Sequence, residues 1–265
     1  MTSIIIPVVD NEDYTEQCIS SLKKNTKDYE LIVVDNGSIR NFVPDDDWID
    51  VTSFGDENTP YVGKKEGIGN LLVIRNEENL GYPKAINQGI IFAKGEYICI
   101  LNNDTVLTKD WLDHLVYHLE NGLDAVGPMT NNISGIQKTN IDIYDTEETL
   151  NEAAIKFYEK NKGKYTLCWR LVGFCLAFKK EVIDKIGLFD QNFGLGDYED
   201  EDFCLRAIEA GFRLGISNDC YIHHFGSATH KSLKINYEEL LKINKKYFDS
   251  KWSEDVIKQI VERNK

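Results

Sequence analysis

The sequence predicts an α/β protein with a mostly parallel central sheet flanked by helices, and three observations predict it. Short β-branched runs alternate with stretches of helical spacing from the first residues onward. Polar clusters stand at the carboxyl ends of several of those runs, where open α/β sheets bind ligands. A chain of 265 residues, 42% hydrophobic and 28% charged, can bury a sizeable core in one large domain or two closely joined lobes.

The elements follow in order. Ser3 to Val8 is a β-branched run, Glu12 to Asn25 carries helical spacing through Cys18, Ile19 and Leu22, and Leu31 to Val34 is apolar again before Asp35-Asn36-Gly37-Ser38. Leu71 to Ile74, the helical stretch Pro83 to Lys94 and the apolar segment Tyr97 to Leu101 repeat the pattern. Between Asn41 and Asn70 the periodicity dissolves, which predicts a long loop or a small excursion near the site. Beyond Asn121 come a short strand at Ala125 to Pro128, a helix at Thr146 to Lys162, and an apolar run from Leu167 to Phe178. Asp190 to Asp202 reads DQNFGLGDYEDED, a glycine-bearing loop entering an acidic helix start, and Tyr221 to Thr229 reads YIHHFGSAT. No internal repeat or low-complexity linker divides the chain.

Composition excludes several classes. A net charge of −14 argues against a nucleic-acid partner, which would need clustered Lys and Arg. No stretch approaches the roughly 18 apolar residues of a membrane span, and the opening residues lack a basic flank and a cleavage site, so a cytoplasmic protein is expected. From Lys231 onward nine basic residues outnumber six acidic ones. That tail is expected to pack on the domain as an amphipathic helix pair, with peripheral contact to the inner face of an anionic membrane as the alternative. The six cysteines form no CxxC pair and sit in apolar runs, which predicts reduced, buried thiols without disulfides or zinc.

Four clusters could carry chemistry. Asn102-Asn103-Asp104 follows a buried strand and offers oxygen ligands suited to Mg²⁺ or Mn²⁺, although the same residues also suit a plain turn and helix cap. In the acidic cluster, a helix beginning near Tyr198 turns Phe203, Cys204, Ala207 and Ile208 to the core. Glu199 and Asp200 then fall on the inward stripe. Asp202, four residues before Arg206, reads as half of a surface ion pair. An inward carboxylate at a cleft edge suits a general base, while acids at a helix start also simply suit the helix dipole. His223 and His224 alternate across a strand-like stretch, so only one is expected to reach a site. Lys84 stands at the start of the helix after Asn79-Leu80-Gly81-Tyr82-Pro83, where a diphosphate could meet it. Neither GxGxxG nor GxxxxGK[ST] occurs, which removes the main support for ordinary dinucleotide-binding and P-loop readings.

The blocks SIIIPV, YELIVVDNGS, NEENLGYPKAINQGI, AKGEYICILNNDT, VGFCLAFKKEVIDKIGLFDQNFG, YEDEDFCLRAIEAGF and IHHFGSAT, in this order, resemble the family 2 glycosyltransferases. The likeness is to the bacterial branch of rhamnosyltransferase-like and other cell-surface glycan enzymes. That resemblance implies a GT-A fold with a Rossmann-like sheet. Residues 1–230 would form a single domain, with a nucleotide-binding half at about 1–105 and an acceptor or catalytic half at about 106–230, followed by a helical extension at 231–265.

The implied activity is inverting transfer of a sugar from a UDP-, dTDP- or GDP-linked donor to a glycan, lipid-linked or protein acceptor in surface polysaccharide or glycoconjugate synthesis, with Mn²⁺ or Mg²⁺ as cofactor. Pro7, Val9, Asp35, Asn36, Lys84, Asn102 and Asn103 would meet the nucleotide, and Asp104 would hold the metal in a DxD motif whose first Asp is Asn102. His223, with His224 second, would complete the metal shell. Asp200 would be the catalytic base and Glu199 its neighbour. Val9 stands where many relatives carry an aromatic residue. Two rival readings are a noncatalytic nucleotide-sugar-binding module and a sugar nucleotidyltransferase, the latter lacking its glycine-rich basic loop after the first strand.

Overall fold

The computed structural model describes residues 1–40, 42, 61–65, 71–226 and 236–263. Among these, nine strands form one sheet in the order β3-β4-β2-β1-β5-β9-β7-β10-β8. β1 (Thr2–Val8), β2 (Tyr29–Asn36), β4 (Leu71–Asn76) and β5 (Tyr97–Leu101) are mutually parallel, as are β7 (Ala125–Met129) and β10 (Leu214–Tyr221). β3 (Tyr61–Lys65), β8 (Tyr165–Leu167) and β9 (Cys175–Lys179) pair antiparallel with their neighbours. β3 falls inside the stretch expected to be irregular, and the rest of that stretch apart from Phe42 and these five residues lies outside the described residues.

β1 is buried along its whole length, and its alternation sorts the core. Ile4 and Ile6 face α1 (Glu12–Asn25) and α3 (Trp111–Glu120), sharing a cluster with Leu22, Trp111 and Leu115. Ile5 faces the opposite layer, where α2 (Tyr82–Phe92) packs so closely that a Cβ on Gly89 would lie 2.4 Å from the Ile5 side chain. α4 (Glu147–Asn161), opened by a capping box at Thr146 and Thr149, packs on β10. The run expected from Leu167 to Phe178 is broken. Its ends pair as β8 and β9, and the residues between turn toward the carboxyl edge of the sheet.

α5 (Lys180–Ile186) and α6 (Glu199–Glu209) share the α2 side of the sheet. Two tail helices, Tyr237–Lys251 and Glu254–Arg263, lie there too, and their Phe248, Trp252 and Ile260 are buried in the same cluster as Phe203. Covering each such side chain is worth about 1.5–3 kcal/mol. This packing corrects one expectation. Asp202 does pair with Arg206, at 2.8 Å, but not at the surface. It is fully buried because the tail covers it, and it also receives Lys251 Nζ at 2.7 Å and Trp252 Nε1–H at 2.9 Å.

None of the six cysteines is in a disulfide and all are buried, with Cys18, Cys99, Cys175 and Cys220 under α1 and α3 and Cys168 and Cys204 on the α2 side. No helix among the described residues is long and apolar enough to cross a membrane.

Candidate active site

β1 hydrogen-bonds to β2 on one side and β5 on the other, so the sheet's winding reverses there and leaves a crevice beyond the strands' carboxyl ends. A cleft of about 640 Å³ occupies it, a volume suited to a small-molecule ligand. Pro7 and Val9 at the end of β1, Asn36 at the end of β2, and Asn102, Asn103 and Asp104 after β5 all line this cleft.

One wall is built of neutral amides. Asn36 donates to Asn79 Oδ1 at 2.9 Å and to the Gly81 carbonyl at 3.3 Å, and accepts from Asn76 and from the Leu80 N–H. Asn76 and Gln88 exchange two further bonds of 2.8 Å. Asn103 donates to Thr15 at 2.8 Å. Two residues expected to meet the nucleotide stand apart from this lining. Asp35 does not line the cleft: its fully buried carboxylate accepts from Ser38 and Phe42 N–H groups and meets Arg75 at 3.4 Å, closing the turn after β2. Lys84 is exposed on α2 and also lies outside the cleft lining.

Of the two histidines, His224, named second in the sequence reading, is the one that lines the cleft. β6 (Thr105–Val106) pairs antiparallel with β11 (His223–His224), and the register sets His224 opposite Thr105. His224 therefore turns into the cleft, its Nε2 3.2 Å from Asp104 Oδ1, and His223 turns the other way onto the Tyr144 hydroxyl at 2.7 Å. His224 Nδ1 lies 2.9 Å from the Asn132 carbonyl. A carbonyl can only accept, so this nitrogen donates, and Nε2 is the ring nitrogen turned to Asp104. That buried Nε2 has no hydrogen-bond partner. A ring N–H anchored on a carbonyl is the usual support of a metal-bound histidine, and here it leaves Nε2 beside the Asp104 carboxylate. The donor set thus fits a divalent cation held by two side chains. No group of three or more His, Cys, Asp or Glu suited to a metal occurs among the described residues, so further ligands would come from phosphate oxygens and water.

The opposite wall is acidic. α6 starts where expected, and Glu199 and Asp200 both line the cleft. Their electrostatics differ. Asp200 Oδ2 accepts the Gly173 N–H at 2.9 Å and Oδ1 the Glu201 N–H at 2.8 Å. Glu199 Oε2 is buried with no partner. Burial, with the Asp200 charge added, holds the Glu199 carboxyl well above its usual range. Burial also raises Asp200, but its two N–H donors and Arg170 resist the rise. Asp200 is therefore the member of the pair that ionises first. Glu201 also borders the cleft, and burial lifts it to about 7 although Arg170 lies 2.8 Å away.

Tyr82 joins the two walls. Its hydroxyl lies 3.1 Å from Asn102 Oδ1 and 2.9 Å from the carbonyl of Gly173, whose N–H holds Asp200. Burial, then the charges of Glu199, Asp200 and Asp104, keeps the phenol un-ionised. Tyr82, Arg170 and Tyr237 all line the cleft and were not anticipated. Tyr82 stood in a block already quoted and could have been found as the polar aromatic residue beside Pro83. Arg170 and Tyr237 carry no local signal.

The model of the family described as Glycosyl transferase family 2 matches residues 3–44 and 57–187. The chain belongs to this family. Among curated relatives of this glycosyl transferase family 2 protein, chondroitin synthase of Pasteurella multocida is 27% identical over 79% of this chain and 23% of its own length. The chain spans about a quarter or less of the first curated relatives it matches. Among solved structures, S. aureus TarS 1-349 aligns with a TM-score of 0.57 at 17% identity, covering 99% of this chain and 70% of TarS. The Pyrobaculum calidifontis mannosyltransferase PcManGT, solved with GDP-Man and Mn²⁺, aligns with a TM-score of 0.55 at 16% identity over 84% of this chain and 56% of its own. At those identities the likeness is one of fold, and the fold of this family 2 chain is GT-A.

Proposed function

We propose that this chain transfers a sugar from a nucleoside diphosphate donor to an acceptor hydroxyl in glycan synthesis, with inversion at the anomeric carbon and a divalent cation at Asp104 and His224. The observation that carries the reading is the pairing of two unlike walls across one cleft, a metal-suited Asp104 and His224 against the acid pair Glu199 and Asp200. Tyr82 spans the interval through Asn102 and Gly173.

The Asp200 carboxylate, ionised ahead of Glu199, takes the proton of the acceptor hydroxyl as its oxygen bonds to the anomeric carbon. The bond from that carbon to the diphosphate oxygen breaks in the same displacement, and the proton ends on Asp200. Glu199, its carboxyl held well above the usual range by burial and by the Asp200 charge, yields the first ionisation of the pair to Asp200. Asp104 and His224 would hold the cation, which would supply Lewis-acid stabilisation of the diphosphate leaving group. Asn36 and Asn79, bonded to each other, and Asn103, held by Thr15, offer fixed amide groups to the nucleoside. Pro7 and Val9 give it an apolar floor.

Calorimetry with UDP, dTDP and GDP, each with and without Mn²⁺, tests the donor half, and release of nucleotide from the matching sugar donors tests the chemistry. One nucleotide should bind at least about tenfold tighter with Mn²⁺ present, given the cost of losing a metal-site group. Binding without any sugar release would reduce the chain to a nucleotide-sugar-binding module, and binding of none would remove the reading.

A further inference from the structure

The acid wall is reached through an unusual piece of backbone. Gly194, Gly196, Asp197 and Tyr198 all have positive φ, at 58°, 122°, 72° and 73°, and α6 follows at once. Two consecutive non-glycine residues in the left-handed region do not hold that shape unless their surroundings impose it. The carbonyls of such a segment also find no partners in a regular ladder and must be met by other donors.

The donor comes from the tail. Asn244, 2% exposed in the first tail helix, directs its Nδ2 at the carbonyls of Phe193, Gly196 and Asp197, at 2.8, 2.6 and 3.3 Å. All three partners only accept, so the NH₂ and not the oxygen of the amide must face them. On the other side of the loop, Gly81 at the start of α2 presses on Gly194, so closely that a Cβ there would lie 2.0 Å from the Gly194 oxygen. Tyr237 on the same tail helix donates to Asp197 Oδ1 at 3.1 Å. The loop is clasped between an element of the donor wall and an amide about fifty residues further along the chain.

We propose that Asn244 is a positioning residue: by binding the carbonyls of Phe193, Gly196 and Asp197 it fixes the left-handed turn from which Glu199 and Asp200 enter the cleft, so that the tail controls turnover and leaves donor-nucleotide binding alone. The control of turnover rests on the glycosyl-transfer reading above, whereas the ordering of the turn does not. The donor wall is tied to itself through Asn36, Asn76, Asn79 and Gln88, and none of those bonds involves the tail.

Amide hydrogen exchange on Asn244→Ala and on the isosteric Asn244→Asp tests the ordering. Both should speed exchange across residues 194–200 by about tenfold or more while β1, β2 and β5 stay within about twofold of the parent. Asn244→Asp should be at least as severe as Asn244→Ala, because it fills the space but puts a second acceptor against three carbonyls. For the nucleotide-sugar that the parent turns over, kcat should fall by about tenfold to a hundredfold with KM changed no more than about twofold. Trp252→Phe, which loses a bond to Asp202 but keeps Asn244, should lower the melting temperature and leave the exchange of 194–200 alone.

Unchanged exchange at 194–200, exchange raised evenly along the chain, or an Asn244→Asp protein that behaves as the parent would overturn the proposal. Asn244→Ser, smaller and still a donor, takes the place of Asn244→Ala if that variant does not fold. If the parent turns over no nucleotide-sugar, the glycosyl-transfer reading fails while the exchange measurement still decides the role of Asn244.

Discussion

The two walls of the cleft are held by different means. The donor wall is made of loops that leave parallel strands, and its side chains are neutral amides bonded to near neighbours in space: Asn36, Asn76, Asn79 and Gln88. The acid wall is made of carboxylates on a left-handed turn, and its supports come from far along the chain, with Gly173 holding Asp200, Arg170 holding Glu201 and Asn244 holding the turn itself. Neutral dipoles can be packed together at little cost, so the sheet edge suffices for them. Buried like charges repel, and keeping them together takes donors gathered from several elements.

The comparison breaks most sharply at Asp200. Asp200→Asn should lower transfer by about 10²- to 10⁴-fold, the range expected for a lost general base, with nucleotide affinity by calorimetry within about twofold of the parent. The reciprocal change, Asp104→Asn, should cost about 10- to 100-fold in nucleotide affinity when Mn²⁺ is present and little in EDTA. Equal losses of binding and transfer in the Asp200→Asn protein would mean that the walls do not divide the work.

Glu201 sharpens the contrast through pH. Its folded pKa of about 7 lies above its ordinary 4.5, so the folded state keeps this proton after the unfolded chain has released it. Its contribution is full below 4.5 and is lost as pH rises through 7. The loss amounts to at most about 3 kcal/mol, measurable as urea unfolding free energy across that window. Glu201→Gln should flatten this part of the profile, whereas Asn36→Ala in the donor wall should lower stability without changing its slope.

The smallest effect belongs to the residue shared by both walls. Tyr82→Phe should cost about 1–2 kcal/mol in unfolding free energy, because the Gly173 carbonyl loses its hydroxyl partner within a buried site. A shift confined to one wall, read from hydrogen exchange, would show to which of them Tyr82 is more closely tied.

The walls also differ in how much of them the sequence disclosed. The strands that set the donor wall are short β-branched runs whose period and ends are local properties, so Val9, Asn36 and Asn102 to Asp104 could be placed at one sheet edge from spacing, and the family resemblance added Pro7. Helical periodicity likewise turned Glu199 and Asp200 inward. What escaped notice depends on contacts made across the chain. Asp35 looked available until the turn after β2 supplied it with two N–H donors and Arg75. The choice between His223 and His224 needed the register of a two-residue pairing with β6, which no local pattern encodes. Asp202 read as a surface acid because helical spacing places a residue around an axis but does not say what will cover it, and the cover here is Trp252 and Lys251. Arg170 and Tyr237 were missed for the same reason.

The burial of the cysteines has a practical consequence. Burial pushes the Cys18 and Cys168 thiols to about 12, leaving almost no reactive thiolate at neutral pH, and these two sulfurs sit on opposite faces of the sheet. An alkylating reagent added to the native protein therefore registers momentary opening instead of surface chemistry. Mass spectrometric identification of the sulfur modified first would tell which layer lifts away sooner.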